Sequence, residues 1–405
     1  MDGANGYVES ADRATGPTGT VVYLDYASTA PTLPAVVEAM LPYWTGAWGN
    51  PSSLYAAGRQ ARAALDRARA TVAGVLGCHP REIAFTSGGT ESDNFALRGS
   101  VERARERGTR PHLVTSAAEH TAVLDTAAAL VKTGVDVTYL PVDAHGAVSP
   151  AALAAALRPE TCLVSLMVGN NEVGTINPIA ALAAVARERG VPFHTDAAQA
   201  PGVLPVDVDA LGVDMLTLSA HKFGGPKGAG LLYTRRGSRI APQITGGGQE
   251  MNRRAGTENV AFAVGMATAL AHAEAHRAGT AAHVGRLRDE FVRRVREATP
   301  DARLFGHPVE HLPGLANLGF AGVEAESLLI LLDAEGIAAA AGAVCASGSI
   351  EPSHVLLAMG VPADYALGSV RFSFGAANTD ADMGTASEAV PRLVARLREL
   401  SPLAV

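Results

Sequence analysis

The feature that most constrains the fold of this chain is a regular alternation, from Val21 onward, between short runs of β-forming residues and longer helical segments. Several runs are apolar throughout rather than at every second position, which is typical of parallel strands that helices cover on both faces. The pattern predicts an α/β fold with a central, mostly parallel sheet. The runs are VVYLDY, EIAFTS, HLVTSA, VTYLPV, CLVSLMVG, VPFHTDA, DMLTLSA and GLLYTRR.

The length of the chain and a later change in this pattern predict two domains. At 405 residues the chain exceeds the usual size of one hydrophobic core. A glycine-rich stretch at residues 246–248 precedes a long helical pattern from about residue 257 to residue 295, and the segments beyond it have the order of an α+β layer. We therefore predict a large domain over residues 27–270 and a small domain formed by residues 1–26 with 271–405.

Composition and charge exclude several classes of protein. Hydrophobic residues make up 48% and charged residues 18% of the chain, which is typical of a soluble enzyme with a large core. The net charge of -7 gives no general attraction to nucleic acid or an anionic membrane, and no apolar stretch is long enough to span a bilayer. Three cysteines without paired spacing argue against a disulfide framework or a zinc site. We expect a cytoplasmic protein without a metal.

A glycine turn at Ser87-Gly88-Gly89-Thr90 follows the run EIAFT and opens a helical segment. The free N-H groups and positive dipole end of a helix start suit a phosphate group. A nucleoside triphosphate is not indicated, because no Lys-Ser or Lys-Thr pair follows the glycines. The same pattern is also typical of an ordinary capped helix start.

Two further strand ends carry a carboxylate and a lysine. Asp196 ends a buried strand, where open α/β sheets bind ligands, and it would keep a pyridine nitrogen protonated; the alternative is a helix N-cap. Lys222 ends a later strand before a glycine turn, where a desolvated amine becomes nucleophilic enough to form a Schiff base. A phosphate cradle, a carboxylate and a lysine at three strand ends together favour a pyridoxal-type cofactor over a surface lysine.

Cys345 is the candidate nucleophile outside the sheet. It lies between a run of small residues and a helix that begins near Pro352, and Gly342 and Gly348 flank it with permissive backbone. Buried apolar cysteines more often serve as packing residues, which is the alternative here. We assign the other two cysteines, Cys78 and Cys162, to packing.

Arg371 lies inside the strand pattern SVRFSFG, whose residues we expect to alternate between core and solvent. A guanidinium in such a position needs an anionic partner, and its fork matches a carboxylate bidentately. The α-carboxylate of an amino-acid substrate is one candidate partner, and an internal salt bridge is the other.

Taken together, these motifs resemble those of the cysteine desulfurases of the iron–sulfur and nitrogen-fixation type, over almost the whole chain from Tyr23 to Leu400. These are class-V aminotransferase relatives with the fold of fold-type I pyridoxal-phosphate enzymes, so the resemblance implies a seven-stranded-type sheet in the large domain. The matching motifs are YLDYASTAP, GNPSS, FTSGGTESDN, the EH of AAEHTAVLDT, NNEVGTINPI, HTDAAQAPG, SAHKFGGPKG, GGGQEMNRRAGTENV, CASGSIEPSHVLLAMG and SVRFSFG.

The resemblance implies a complete set of residues that bind pyridoxal 5'-phosphate. It also implies a homodimer, in which a threonine of each subunit reaches the cofactor of its partner. By this comparison the phosphate contacts are Gly89, Thr90, Ser219, His221 and, across the dimer, Thr257; the ring contacts are His120, Asn171, Asp196, Gln199 and the Schiff-base Lys222.

The same resemblance implies the reaction. Asn171 and Arg371 hold the carboxylate of L-cysteine, and Lys222 removes the α-proton. The thiolate of Cys345 then takes the sulfur as a persulfide, and L-alanine is released. His120 relays protons or only stacks on the ring. The persulfide passes to an acceptor protein in iron–sulfur assembly, tRNA thiolation or DNA sulfur modification.

Two alternatives stay open at this point. A selenocysteine lyase or an aminotransferase would share the cofactor residues, and a catalytically silent assembly module would keep only the fold. One departure from the family also matters, because alanines and a valine replace hydroxyl residues around the cysteine, at Ala340, Ala341, Ala343, Val344 and Ala346. An apolar setting raises the pKa of a thiol and favours a strand. We predict that Cys345 is more tethered than in long-loop relatives.

Overall fold

The computed structural model describes residues 15–16, 19–342, 345–346, 349–350 and 352–400, and at residues 15–16, 19–20, 345–346 and 349–350 it describes the backbone alone. The first described strands are β1 (Thr15–Gly16) and β2 (Gly19–Thr20), which pair with each other, and β3 (Val22–Tyr23). Among the described residues, none of the helices combines the length and apolar character that crossing a bilayer requires.

A seven-stranded sheet forms the centre of the molecule, in the spatial order β4-β10-β9-β8-β7-β5-β6. Strand β10 runs against both of its neighbours, so the other six strands point the same way. Every residue of β5, β9 and β10 is buried, as predicted for strands covered on both faces. The strands are β4 (Ile83–Thr86), β5 (His112–Ser116), β6 (Asp136–Leu140), β7 (Thr161–Ser165), β8 (Phe193–Asp196), β9 (Met215–Ser219) and β10 (Gly230–Thr234).

Helices cover both faces of this sheet. Apolar residues of α1, α3, α7 and α10 form one core against it, and those of α4 and α5 form another. The helices of this part are α1 (Pro34–Met40), α2 (Pro42–Thr45), α3 (Ala56–Leu76), α4 (Gly89–Glu106), α5 (Thr121–Val131), α6 (Pro150–Ala156), α7 (Ile179–Glu188), α8 (Val208–Leu211), the short segment α9 (Gln249–Asn252) and the long α10 (Val260–Ala298).

Helix α10 confirms the long helix expected after the glycine-rich stretch. It begins at a cap in which the Asn259 side chain accepts from the backbone N-H of Phe262. Met266 and Leu270 pack in the core of the seven-stranded sheet, whereas Leu287 and Phe291 pack in a separate core. One helix therefore contributes to both cores.

The second core surrounds a four-stranded sheet of order β11-β12-β17-β14. Strand β3 pairs with β13 beside it, which brings residues before 27 to this part of the molecule. The two cores support the predicted boundaries, 27–270 and 1–26 with 271–405, which stay a prediction. The remaining elements are β11 (Arg303–Phe305), β12 (Leu315–Gly319), α11 (Ala325–Ala334), β13 (Ile337–Ala338), β14 (Ala340–Ala341), β15 (Cys345–Ala346), β16 (Ser349–Ile350), α12 (His354–Ala358), α13 (Ala363–Leu367), β17 (Ser369–Ser373) and α14 (Asp380–Leu400).

Candidate active site

The predicted site residues of the large sheet gather at one edge. Six of its strands run in the same direction, so their carboxyl ends, and the loops that follow them, lie together. These loops carry the glycine turn after β4, His120 after β5, Asn171 after β7 and Lys222 after β9, and Asp196 is itself the last residue of β8.

Lys222 ends a single 3-10 turn that directly follows β9. Its Nζ donates to the carbonyl oxygens of Ala27 at 2.6 Å and Ser28 at 2.9 Å. Burial, helped by the nearby Arg371 guanidinium, lowers the pKa of the amine to about 8 despite the opposing charge of Asp196. A substantial fraction of this amine is therefore neutral near physiological pH, as a nucleophile for an aldehyde must be.

Asp196 is buried, and one of its carboxylate oxygens accepts from the backbone N-H of Ala198 at 2.9 Å. Burial raises the pKa of Asp196, while that N-H, His120 and Lys222 oppose the rise. The next helix among the described residues is α8, so the interpretation of Asp196 as a helix N-cap is wrong. No cation of the described residues bonds to this buried carboxylate, which suits it to a protonated ring nitrogen.

The glycine turn fits a phosphate group. Helix α4 starts at Gly89, shortly after the carboxyl end of β4, so its first N-H groups, which have no acceptor within the helix, lie at this edge of the sheet. The position that a methyl group on Gly89 would take lies 3.5 Å from Cβ of the buried Ser219. Burial lowers the pKa of His221 to about 4, so its neutral ring, which pairs with Thr29 Oγ1 at 3.1 Å, can offer a hydrogen bond without charge.

His120 caps helix α5, and its Nδ1 accepts from the backbone N-H of Ala122 at 3.1 Å. Burial lowers the pKa of His120, partly offset by the charge of Asp196. The ring is therefore neutral with its proton on Nε2, a state that serves both ring stacking and proton relay. His120 and the exposed Thr90 line the same surface hollow of about 310 Å³.

Arg371 lies in β17, between β12 and β14, and all five residues of this strand are buried. The expected alternation of its residues between core and solvent is therefore wrong. Its Nη2 donates to Asp25 Oδ1 at 2.8 Å and Ser28 Oγ at 2.6 Å, and its Nη1 donates to the carbonyl oxygen of Asn171 at 2.8 Å. The Nε is buried and has no hydrogen-bond partner among the described residues. The internal salt bridge considered from the sequence is thus present, and an incoming carboxylate would share Arg371 with Asp25.

Gln199 lies beside Lys222. Its Nε2 donates to the Ala27 carbonyl oxygen at 2.9 Å, the same oxygen that accepts from Lys222. Segment 25–29 of the chain therefore contacts four of the predicted site residues, which are His221, Lys222, Gln199 and Arg371.

Sequence reasoning missed several buried acids near these residues. Burial raises the pKa of Glu119 to about 8; its Oε1 accepts from Ser116 Oγ and Met167 N, and its Oε2 is buried with no partner among the described residues. Asp93 is also buried with a raised pKa, and its Oδ1 lies 3.7 Å from His194 Nε2. The EH and TESDN motifs contain these acids, but nothing in the motifs indicates their burial.

Two predicted site residues, Thr257 and Cys345, are not brought to the other site residues by the part of the chain that the structure describes. Thr257 is exposed in the loop before α10, in a second hollow lined also by Ser87 and Arg254. Cys345 lies in β15, where its backbone pairs with Ile350, and its side chain lies outside the described residues. The strand character expected just before it is confirmed by β13 and β14.

The other two cysteines are free thiols. Cys78 packs against the main core beside α3, and Cys162 lies in β7. Burial raises the pKa of Cys78 to about 12 and that of Cys162 to about 11, so both are poor nucleophiles. Their assignment to packing is confirmed.

Comparison with known proteins identifies the family. The profile of the class-V aminotransferases matches residues 22–385. A cysteine desulfurase IscS of Methanosarcina thermophila is 48% identical over 94% of both chains. The structure of a NifS-like protein superposes with a TM-score of 0.87 at 34% identity, covering 93% of this chain and 100% of that one. A structure of SspA in complex with cysteine gives a TM-score of 0.77 at 35% identity, covering 88% and 99%. The chain belongs to the class-V aminotransferase family and, within it, to the cysteine desulfurases.

Proposed function

We propose that this chain binds pyridoxal 5'-phosphate, the cofactor of its family, at the carboxyl edge of the seven-stranded sheet and transfers the sulfur of L-cysteine to Cys345. The observation that carries the proposal is the pairing of a lysine whose pKa is lowered to about 8 with a buried carboxylate, Asp196, at neighbouring strand ends. Lys222 and Asp196 lie close enough for the charge of each to shift the pKa of the other.

The residues present fit this cofactor. When bound, its ring withdraws electrons from the α-carbon of an amino acid. Asp196, which has no bonded cation among the described residues, would hold the ring nitrogen, and the free N-H groups at the start of α4 would hold the phosphate. In our proposal Lys222 holds the aldehyde, Gln199 the phenolic oxygen, Gly89, Thr90, Ser219 and His221 the phosphate, and His120 and Asn171 lie against the ring.

In this proposal, different residues of the chain bind the substrate, move its protons and take its sulfur. Arg371 and Asn171 hold the α-carboxylate, which places the α-hydrogen next to Lys222 Nζ, and this amine takes the proton. His120 Nε2 exchanges a proton with the substrate sulfur. A sulfur–sulfur bond forms at Cys345 Sγ as the carbon–sulfur bond of the substrate breaks, and the electron pair left on the carbon takes a proton, which gives L-alanine.

A homodimer is part of the proposal. Large apolar side chains are exposed along residues 37–55, among them Trp48 at 70% and Leu54 at 88%. A surface of this kind is typical of a protein interface. The ring of Trp44 packs edge-on against that of Phe262, with 6.4 Å between the ring centroids. Phe262 lies only five residues after Thr257. The apolar surface is thus continuous with the segment that carries Thr257, which supports the idea that Thr257 reaches the partner's cofactor.

The persulfide of Cys345 would pass to an acceptor protein. The free thiols of Cys78 and Cys162 support a reducing, cytoplasmic setting for this transfer.

The test of the proposed function is alanine release from L-cysteine by the purified protein and by Cys345→Ser. We expect the wild type to form alanine and the variant to lose at least most of this activity while it still binds the cofactor. Full activity in Cys345→Ser would contradict the proposal. Alanine formation that requires a keto acid in equal amount would identify an aminotransferase, and a colourless protein that cannot be reconstituted would identify a silent assembly module.

A further inference from the structure

The two arms of the segment that carries Cys345 meet at one buried carboxyl group, that of Glu172. The first arm ends at Gly342, and Glu172 Oε2 fills the place that any side chain at this position would need. The second arm begins at Ser353, whose hydroxyl donates to the same oxygen. A methyl group on Gly342 would lie 3.3 Å from Ser353 Cβ, so the two arms lie close together at Glu172. We call Gly342, Glu172 and Ser353 the neck.

The second arm is fixed by further bonds. The Ser353 hydroxyl accepts from the backbone N-H groups of Val355 at 3.2 Å and Leu356 at 3.3 Å, which caps α12, so its one proton is free for Glu172. His354 Nε2 donates to the carbonyl oxygen of Glu119 at 2.9 Å. The arm is therefore tied to the residue that precedes His120.

Glu172 is itself held in place relative to the substrate site. Its backbone N-H donates to Asn170 Oδ1 at 2.9 Å, and its carbonyl oxygen accepts from Asn317 Nδ2 at 3.1 Å. The carbonyl oxygen of the preceding residue, Asn171, accepts from Arg371 Nη1. Burial raises the pKa of Glu172, while the Ser353 hydroxyl and the charges of His354 and Arg371 oppose the rise.

The neck limits where the thiol can go. A chain advances at most about 3.6 Å per residue, so the Cα of Cys345, three residues after Gly342, lies within about 11 Å of the Cα of Gly342 in any conformation. Gly342, from which this reach is measured, is held against Glu172, and Glu172 directly follows Asn171, whose carbonyl oxygen bonds to Arg371. Opening the neck would free both arms and enlarge the space that the thiol searches.

We propose that Glu172 is a positioning residue, which closes the neck between Gly342 and Ser353 and thereby keeps the Cys345 thiol within reach of a substrate bound at Arg371. The part that concerns sulfur transfer rests on the proposed function. The closure of the neck does not.

The test uses three variants of the holoenzyme and one control. Glu172→Ala and Ser353→Ala each remove the bond from a different side, and Glu172→Gln keeps an oxygen that accepts from Ser353. Ser353→Ala also removes a helix cap, so Ser149→Ala, which removes the cap of α6 without touching the neck, is the matched control.

The first measurement is alkylation of Cys345 by iodoacetamide in the resting enzyme, followed by peptide mass spectrometry. We expect the alkylation rate of Cys345 to rise several-fold in Glu172→Ala and Ser353→Ala. In Glu172→Gln and Ser149→Ala the rate should match that of the wild type. Cys78 and Cys162 serve as internal references, because burial keeps their thiols protonated.

The second measurement is the single-turnover rate of persulfide formation. We expect a fall of about 10- to 100-fold in Glu172→Ala and Ser353→Ala, with KM for cysteine nearly unchanged because Arg371 keeps its place. Because both changes break one bond, the double variant should be no slower than the slower single variant.

Wild-type rates of alkylation and of persulfide formation in both folded variants would overturn the proposal, as would a Glu172→Gln protein as impaired as Glu172→Ala. If the wild type itself forms no persulfide, the proposed function fails, and the alkylation contrast still decides whether the neck restrains Cys345.

Discussion

Lys222 and Gln199 donate to the same oxygen, the backbone carbonyl of Ala27, at 2.6 and 2.9 Å. Ala27 belongs to segment 25–29, which also supplies Asp25 and Ser28 to Arg371. This segment therefore contacts the residues proposed to hold the cofactor aldehyde and those proposed to hold the substrate carboxylate.

The pKa of Lys222 sets the pH dependence of cofactor capture. Because the pKa is lowered from 10.5 to about 8, the fraction of free amine rises through about pH 8, and the rate of Schiff-base formation with pyridoxal phosphate should rise with it. Stopped-flow absorbance of the apoenzyme measures this rate. Lys222→Ala should form no borohydride-reducible adduct, whereas the exposed Lys227→Ala should behave as the wild type. A midpoint near that of ordinary lysine would show that the amine is not desolvated.

Asp196→Asn separates cofactor binding from folding. Burial raises the pKa of this carboxyl, so its ionised form destabilises the protein without cofactor as the pH rises through the raised pKa. The variant should therefore be at least as stable as the wild-type apoenzyme at neutral pH, yet bind pyridoxal phosphate at least about tenfold more weakly because the ring nitrogen loses an ionic partner. Fluorescence titration gives the affinity, and Asp333→Asn, on an exposed residue of α11, is the control. Equal affinity in Asp196→Asn would contradict the assigned role.

Glu119 should give the folded protein a pH-dependent stability. Its folded pKa is raised from 4.5 to about 8 by burial, so the folded state binds more protons than the unfolded state between these values. The stability due to neutral Glu119 is complete below about pH 4.5 and is lost as the pH rises through about 8. Glu119→Gln should therefore gain stability relative to the wild type as the pH rises over this range, measured by urea unfolding. A constant difference would mean that Glu119 does not titrate there.

The apolar surface at residues 37–55 should hold two copies of the chain together. Replacing Trp48, which is 70% exposed, by glutamate should shift the protein towards the monomer in sedimentation velocity, because a charge is placed in an apolar contact. Tyr139→Glu, on an exposed aromatic residue of edge strand β6, is the matched control. If Trp48→Glu keeps the sedimentation coefficient of the wild type, the surface serves another purpose.

The periodicity of the sequence was enough to predict the main sheet and the position of the glycine turn, Asp196 and Lys222 at its edge. Parallel strands buried on both faces must be apolar throughout, and residues at their carboxyl ends must share one edge, so the placement of Asp196 and Lys222 followed from local pattern. The long helix α10 was equally visible, because its pattern continues over many turns.

Contacts between distant parts of the chain were not predictable in this way. Arg371 bonds to Asp25, which is 346 residues away, and no local pattern indicates that pair. The alternation expected for β17 failed because both faces of the strand are covered. Val370 and Phe372 pack in the second core, and Arg371 on the other face bonds to Asp25 and Asn171, so that all five residues are buried. Glu119 and Glu172 look like ordinary surface acids in sequence. Their buried side chains bond to distant parts of the chain: the Glu119 carboxylate accepts from the backbone N-H of Met167, 48 residues further along, and the Glu172 carboxylate accepts from the Ser353 hydroxyl, 181 residues further along.

The most direct test of the central claim is peptide mass spectrometry of the holoenzyme after a single turnover with L-cysteine. We predict one added sulfur atom on the peptide that contains Cys345 and none on those that contain Cys78 or Cys162, with alanine in equal amount. Alanine release without added sulfur on Cys345, or added sulfur on Cys78 or Cys162 instead, would contradict the account.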